Sequence, residues 1–280
     1  MSDYLYSILS GQLFEKNDQH AITDNRAFYF GDGFFESMRF EKGRILNEKE
    51  HWIRLRKSGE LLELNITDCL NEEKLIHEIK WLAEKNNAGD FARVRLSIFR
   101  KSPGLYNPDF HHAGYVLDVS ALPSSYSMAD KGITVGIYAD QKKASGKYAN
   151  IKSLSSQLYV MAALYAHKNR FDDVLMLNTS GNIIESSNSN LFVIKDNTLL
   201  TAPLSEGCVD GVFRRFILAV AQKNNIPLCE QIITENDVQS ADEIWCTSAI
   251  RAITWVQQIN EKSYTNIFAT SFLKLLIQEL

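Results

Sequence analysis

This 280-residue sequence lacks several features that would assign it to a specialised class of protein. It has only four cysteines, and none of them forms a C-x-x-C pair or lies at zinc spacing from a histidine. The composition therefore indicates neither a disulfide scaffold nor a cysteine-based zinc site. A reduced cytoplasmic protein is the simplest interpretation of so few cysteines.

The sequence also lacks an excess of positive charge and long apolar runs. The formal net charge is −4 and the pI is about 5.9, so electrostatics gives no reason to expect nucleic acid or an anionic membrane as a partner. No apolar run approaches the ~18 residues that a membrane span needs, and Met1–Tyr4 do not begin a signal peptide. His111 and His112 are adjacent and would face opposite ways on a strand, so we predict no metal site.

The composition is that of a globular protein, with 45% hydrophobic and 23% charged residues. The length favours one or two domains. The best candidate for a linker is the short, polar, proline-bearing segment 122–127. A second segment, 101–108, is rich in turn residues and is typical of a loop that carries specificity.

The most specific chemistry lies in residues 149–190. Lys152 immediately precedes a helical pattern over 153–168, for which Ser153 is a plausible cap. The positive end of that helix would disfavour an ammonium group, and imine formation requires a neutral amine. Glu185 follows a strand and a turn. We hypothesise that Lys152 holds a carbonyl cofactor and that Glu185 tunes it; a solvated lysine and a turn carboxylate are the simpler interpretations.

Two other features are compatible with an anion. Arg54 falls on the mainly apolar face of a helix that Asn47 can cap, so it either meets a buried anion or extends its head group to the edge of that face. Gly211 opens a helix whose free N–H groups would suit a phosphate, although glycine is common at helix starts. Residues 28–40 are predicted to be strand, where Gly31 and Gly33 mark a bend, a close backbone approach or a bulge.

Six stretches of the sequence resemble, in this order, the class IV aminotransferases. This fold-type IV family of pyridoxal-phosphate enzymes includes branched-chain and D-amino-acid aminotransferases and aminodeoxychorismate lyases. The stretches are Phe30–Glu36, His51–Leu55, Ile151–Leu154, Glu185–Phe192, Gly211–Arg214 and Thr247–Ala249. The resemblance implies a two-domain α/β (α+β) fold, with a small domain at 1–120, a linker at 121–127 and a larger cofactor-binding domain at 128–280. It also implies a homodimer.

The resemblance further implies pyridoxal 5'-phosphate as the cofactor and a role for each matching residue. Lys152 would be catalytic, since it would form the imine with the cofactor and then move the proton, while Glu185 would pair with the pyridine nitrogen. The implied cofactor-binding residues are Arg54, Lys152, Glu185, Asn190, Val212, Phe213, Thr247 and Ser248. The phosphate would be held by Arg54, by the N–H groups of Val212 and Phe213, and by the hydroxyl of Thr247 or Ser248.

The substrate is less well defined, because the sequence departs from the family pattern at two positions. Gln157 stands where the branched-chain enzymes carry a tyrosine, and Leu105 stands where the D-amino-acid enzymes and lyases carry an arginine. The remaining candidates for substrate contact are Phe35, Arg39, Arg100, Lys101, Tyr106 and Ala249. We expect an aminotransferase acting on an amino acid and a 2-oxo acid, with branched-chain substrates as one option. A 4-amino-4-deoxychorismate lyase is the alternative, followed by a non-catalytic phosphate-ligand-binding protein.

Overall fold

The computed structural model describes residues 5–15 and 25–280, which form two compact units. The first unit comprises Met1–Ser125 and Lys152–Ser156, and the second comprises Tyr126–Ile151 and Gln157–Leu280. The predicted division at 121–127 did not anticipate that 152–156 would group with the first unit, and the domain boundaries stay a prediction. The expectation that Met1–Tyr4 begin no signal peptide lies outside the described residues.

Within residues 5–15, 25–125 and 152–156, the first unit has a six-stranded antiparallel sheet and three α-helices. In chain order its elements are β1 Tyr6–Leu9, β2 Gln12–Glu15, α1 Arg26–Phe30, β3 Gly33–Glu41, β4 Arg44–Ile45, α2 Glu48–Leu61, α3 Glu72–Lys85, β5 Phe91–Arg100 and β6 Ala113–Ala121. The strand order is β2-β1-β6-β5-β3-β4. Alternate residues of β5 are fully buried, namely Ala92, Val94, Leu96 and Ile98, as the period of two in a half-covered sheet requires.

The second unit is a nine-stranded mixed sheet with four helices. Its elements are β7 Ile133–Lys143, α4 Gln157–Lys168, β8 Asp173–Asn178, β9 Ile183–Ser186, β10 Asn190–Lys195, β11 Thr198–Thr201, α5 Val212–Lys223, β12 Leu228–Glu230, α6 Glu235–Ser240, β13 Glu243–Ser248, β14 Ala252–Ile259, β15 Lys262–Ser263 and α7 Ile267–Gln278. The order is β12-β11-β10-β13-β14-β7-β8-β9, with β15 on β14. β9 also pairs with β10 at Glu185 and Asn190, which closes part of the sheet on itself.

The predicted α/β fold class is confirmed, and the structure corrects two local predictions. Residues 26–30 form α1 rather than a strand, because the Asn25 side chain accepts the Ala27 N–H and caps a helical turn. Helix α4 begins at Gln157 rather than at Ser153. Because Lys152 is five residues from that start, the helix dipole gives no reason for its reactivity. Among the described residues, no helix is long and apolar enough to cross a membrane.

Candidate active site

Lys152 is held in the first unit by its own backbone. Its carbonyl oxygen accepts the N–H of Phe35 at 2.9 Å, and the N–H of Leu154 donates to the carbonyl of Gly33 at 3.0 Å. Ser153 forms an antiparallel bridge with Phe34 between these two bonds. The segment therefore pairs with the start of β3 as a short extra strand. This pairing is why the helical pattern after Lys152 is delayed to residue 157.

The glycines of the Phe30–Glu36 stretch make this pairing sterically feasible. A Cβ on Gly33 would lie 2.2 Å from the carbonyl oxygen of Ile98 and 2.8 Å from the side chain of Leu154. Gly31 has a φ of +64° and ends α1, and its Cβ would lie 3.1 Å from Ser155. Of the interpretations offered by the sequence, the close backbone approach is confirmed.

The half-buried side chain of Lys152 lies beside the ring of Phe35. The Lys152 Nζ is 4.6 Å from the ring centroid, and the Arg95 guanidinium is 3.8 Å from it. An aromatic face attracts a cation by about 0.5–2 kcal/mol, depending on how far the pair is shielded from water. Phe35, one of the candidates for substrate contact, therefore contacts the amine on which the predicted chemistry depends.

Arg54 is buried in the first unit, where its guanidinium is paired with a carboxylate. Its Nε and Nη2 donate to the two oxygens of Glu36 at 2.7 and 2.6 Å, and His51 Nδ1 lies 2.7 Å from the same carboxylate. Burial would raise the pKa of Glu36, but Arg54 and His51 outweigh it and lower that pKa to about 2. Burial lowers the pKa of His51, and Glu36 only partly opposes this. A snorkelling arginine is therefore the wrong interpretation.

Glu185 is the buried carboxylate of the second unit. Its Oε1 accepts the Lys143 ammonium and the Tyr159 hydroxyl, both at 2.7 Å, and its Oε2 accepts the N–H of Val209 at 2.8 Å. Burial and then the charge of Glu185 raise the pKa of Tyr159 well above its usual value. Glu185 is therefore a fixed, ion-paired carboxylate rather than a turn residue. Neither Lys143 nor Tyr159 was predicted from the sequence.

The segment that follows Val209 joins Glu185 to the start of helix α5. Asn190, opposite Glu185 in the β9–β10 pair, donates its amide to the carbonyl of Val209 at 2.8 Å. A Cβ on Gly211 would lie 1.8 Å from the Asn190 Oδ1, so any larger residue here would displace the Asn190 side chain. Gly211 precedes Val212 without a side-chain cap. Glu185, Asn190 and the opening of α5 are thus brought together within the second unit.

The predicted hydroxyl residues lie at the end of β13. Thr247 is paired with Asn190 across the strands, is buried, and places its hydroxyl 3.5 Å from the Asn190 carbonyl oxygen. Ser248 is less buried, and its hydroxyl accepts the N–H of Arg251 at 3.3 Å. Ala249 follows in a turn and accepts the Tyr126 hydroxyl through its carbonyl oxygen. The pairing of β10 with β13 therefore places Thr247 beside Asn190, which in turn lies next to Glu185 and Gly211.

Two of the arginines considered for a substrate carboxylate have protein partners in the first unit. Arg39 is buried and donates to Glu41 and to the carbonyl of Ser124. Arg100 is also buried and donates to Asp32 at 3.0 Å. Its terminal nitrogens reach the carbonyls of Glu63 and Leu62, at 3.0 and 2.5 Å. A substrate carboxylate would have to displace these partners.

Arg26 is a residue that the sequence did not single out. It donates to Asp32 at 2.8 Å and to the carbonyls of Gly104 and Leu105, at 2.9 and 2.6 Å. It therefore anchors the tip of the turn-rich loop, where Tyr106 is 88% exposed. A single arginine after a polar segment gives no pattern by which this role could have been predicted.

The comparisons with known proteins identify the family. The model of class IV aminotransferases matches residues 33–259, and the chain belongs to this family. The chain is 26% identical over 261 residues to a putative branched-chain-amino-acid aminotransferase of Methanocaldococcus jannaschii, which covers 92% of this chain and 89% of the relative. It is 30% identical over 263 residues to a D-alanine aminotransferase of Listeria monocytogenes, with coverages of 90% and 87%.

A solved structure supports the same fold. The 4-amino-4-deoxychorismate lyase from Pseudomonas aeruginosa superposes with a TM-score of 0.81, covering 98% of each chain at 22% sequence identity. At that identity the likeness establishes the fold alone. Family membership makes this chain an enzyme of the pyridoxal-phosphate-dependent aminotransferases and related lyases.

The family's cofactor is pyridoxal 5'-phosphate, and the donor chemistry of the second unit fits it. A carboxylate accepts about four hydrogen bonds, and the described residues give Glu185 three. One acceptor position on Oε2 is left for a ring N–H. The opening of α5 lacks a side-chain cap, so its first N–H groups suit a phosphate.

Proposed function

We propose that this enzyme is an aminotransferase that moves an amino group between an amino acid and a 2-oxo acid. The observation that carries the proposal is the buried Glu185, fixed by three donors with one acceptor position left over. Such a group suits a protonated pyridine nitrogen. The branched-chain and D-alanine aminotransferases among the relatives support transamination, and branched-chain amino acids are the first substrates to test.

When bound, the cofactor supplies an electron sink that allows the α-carbon of an amino acid to lose a proton. In our proposal Lys152 holds the cofactor covalently, and its Nζ then takes and returns that proton. The bridge to β3 fixes the Lys152 main chain, and the Phe35 ring lies against its amine. Glu185 would pair with the pyridine nitrogen through its remaining acceptor position, and its charge would keep that nitrogen protonated.

The remaining predicted residues hold the phosphate and support its binding loop. The N–H groups of Val212 and Phe213 at the start of α5 would bind phosphate oxygens, and the Thr247 or Ser248 hydroxyl would add a donor. Arg54 provides a guanidinium charge for the phosphate, with Glu36 holding its orientation. Asn190 acts indirectly, because its amide fixes Val209 in the segment between Glu185 and α5.

Spectroscopy tests the covalent role of Lys152. The purified protein should be yellow with added cofactor, and borohydride reduction should fix the cofactor on the peptide that contains Lys152, as read by mass spectrometry. Lys152→Ala should lose this attachment and about 10³-fold or more of the turnover. Lys147→Ala, which removes an exposed lysine nearby, serves as the matched control and should change neither. Attachment at another lysine would contradict the assignment.

Half-reactions test transamination itself. An aminotransferase mixed with amino acid alone should lose its visible absorbance in one turnover and recover it when a 2-oxo acid is added. A panel of branched-chain amino acids and D-alanine identifies the donor. Release of pyruvate and 4-aminobenzoate from aminodeoxychorismate, with no response to any amino acid, would instead identify a lyase and overturn the proposal.

We also propose a cytoplasmic homodimer that covers the outer face of α4. Val160, Met161 and Leu164 on this helix are 53%, 42% and 55% exposed. Together they form an apolar surface patch, which often marks an interface, whereas a single exposed apolar residue does not. Leu164→Glu should shift the protein toward monomer in sedimentation, whereas the equally apolar but isolated Ile267→Glu on α7 should not. A monomeric wild-type protein would contradict the dimer.

The four free cysteines are compatible with the proposed cytoplasmic location, because the cytoplasm is a reducing compartment.

A further inference from the structure

Lys143, the last residue of β7, is a buried cation in the second unit. Its Nζ donates to the Glu185 Oε1 and to the Tyr159 hydroxyl oxygen, each at 2.7 Å, and only 9% of the residue is exposed. The Tyr159 hydroxyl in turn donates to the same Glu185 oxygen. Lysine is almost never buried to this extent unless it is paired. The three side chains form a closed hydrogen-bonded triangle around one carboxylate oxygen.

The triangle is asymmetric about the Glu185 carboxylate. Both side-chain donors lie on Oε1, whereas Oε2 accepts one backbone N–H, from Val209. The acceptor position that is left therefore belongs to Oε2. Lys143 is at the irregular end of β7, where the pairing with β8 shifts between Tyr138 and Lys143. Beyond the shift, Lys143 pairs with Asn178 of β8, and its side chain reaches Glu185.

We propose that Lys143 is a positioning residue for the cofactor, which fixes the Glu185 carboxylate through Oε1 and offsets its charge. This inference rests on the proposed role of Glu185 at the pyridine nitrogen. The negative charge of Glu185 would raise the pKa of the pyridine nitrogen. The positive charge of Lys143 offsets part of the Glu185 charge and so limits that rise. Stability alone does not account for the pair, because apolar residues of similar volume often replace a buried ion pair at no cost.

The thiol and the phenol beside the pair both have raised pKa values. Burial and then Glu185 raise the pKa of the Cys208 thiol to about 12, and burial and Glu185 also raise the pKa of the Tyr159 phenol. Asp210 is paired with Arg215, and Arg214 is paired with Glu230. A change in the cofactor spectrum between pH 5 and 9 therefore does not come from the thiol or the phenol.

The test is the pH dependence of the visible absorbance of the cofactor-loaded enzyme. Removal of a nearby positive charge favours the protonated form of every neighbouring group. Lys143→Met should therefore raise the pH midpoint of the visible band by roughly one unit, and Lys143→Arg, which keeps a cation, should leave it near the wild-type value. A midpoint in Lys143→Met that equals the wild-type midpoint would overturn the proposal, since a purely structural lysine would lower only the stability.

Two controls make the result decisive. Thermal unfolding of the cofactor-free variants measures the structural effect separately from the spectrum. If Lys143→Met does not fold, Lys143→Gln, which keeps a hydrogen-bond donor for Glu185 without the charge, takes its place; its midpoint should also lie above the wild-type value, and an unchanged midpoint would overturn the proposal. A wild-type protein with no visible band would instead count against the proposed function.

Discussion

The buried cluster of Glu36, His51 and Arg54 gives the sharpest quantitative prediction. Glu36→Gln keeps the size of the side chain and removes its charge. Burial opposes ionisation of Glu36, yet the Arg54 guanidinium and His51 lower its pKa from the usual 4.5 to about 2. At about 1.4 kcal/mol for each pKa unit, the ionised form contributes roughly 3 kcal/mol to the free energy of unfolding at neutral pH. Loss of one partner from a buried pair costs a similar amount, about 3–5 kcal/mol.

The pH dependence of this loss has a definite sign. The folded pKa of Glu36 is depressed, so its contribution is complete above the unfolded value and disappears as the pH falls from about 4.5 toward 2. We expect Glu36→Gln to be about 3 kcal/mol less stable than wild type at pH 7, and only about 1 kcal/mol less stable at pH 3. Urea denaturation followed by tryptophan fluorescence measures both differences.

The matched control is Glu60→Gln, which neutralises an exposed glutamate on the same helix as Arg54. Its effect should stay within about 0.5 kcal/mol at either pH. If Glu36→Gln costs less than about 1 kcal/mol at pH 7, or if the cost is the same at pH 3, the carboxylate is not the ionised centre of the cluster. The account of why Arg54 is buried would then be wrong.

Three further changes test the backbone frame. Gly33→Ala places a Cβ 2.2 Å from the Ile98 carbonyl oxygen, and we expect a loss of roughly 1–3 kcal/mol in urea denaturation. Gly211→Ala places a Cβ 1.8 Å from the Asn190 Oδ1, so cofactor affinity in a fluorescence titration should fall about tenfold. Glu243→Gln weakens the carboxylate that accepts two N–H groups at the start of α7, and should cost about 1–2 kcal/mol. Unchanged stability or affinity would contradict the respective contact.

Sequence periodicity located Arg54 correctly but could not name its partner. The spacing of apolar residues placed Arg54 on the mainly apolar face of a helix, and left open whether it met a buried anion or extended its head group to the edge of that face. The anion is Glu36, on a strand eighteen residues earlier. Which strand residue faces a given helix residue depends on strand register and helix docking, and neither is encoded in a local pattern.

The limits of local patterns are clearest at the two lysines. The helical pattern that follows Lys152 placed the helix start four residues too early, since pairing with β3 competes with helix formation there. The pair of glycines indicated a close backbone approach without identifying the approaching segment. Lys143 lies in a polar stretch that resembles a loop, and only the pairing of β7 with β8 brings it to Glu185.

The anchoring of the turn-rich loop narrows how this enzyme selects its substrate. Arg26 binds the carbonyls of Gly104 and Leu105, and Arg100 binds Asp32 and two other carbonyls. Both arginines thus donate to protein groups: Arg26 to Asp32 and to carbonyls of the loop, and Arg100 to Asp32 and to the carbonyls of Leu62 and Glu63. Leu105, which by the family resemblance would stand where related enzymes carry an arginine, is 80% exposed and offers no charge. We therefore expect substrate selection to depend mainly on the conformation of the loop 101–108, which Arg26 fixes through two of its carbonyls. A positive charge at the tip of that loop would contribute less.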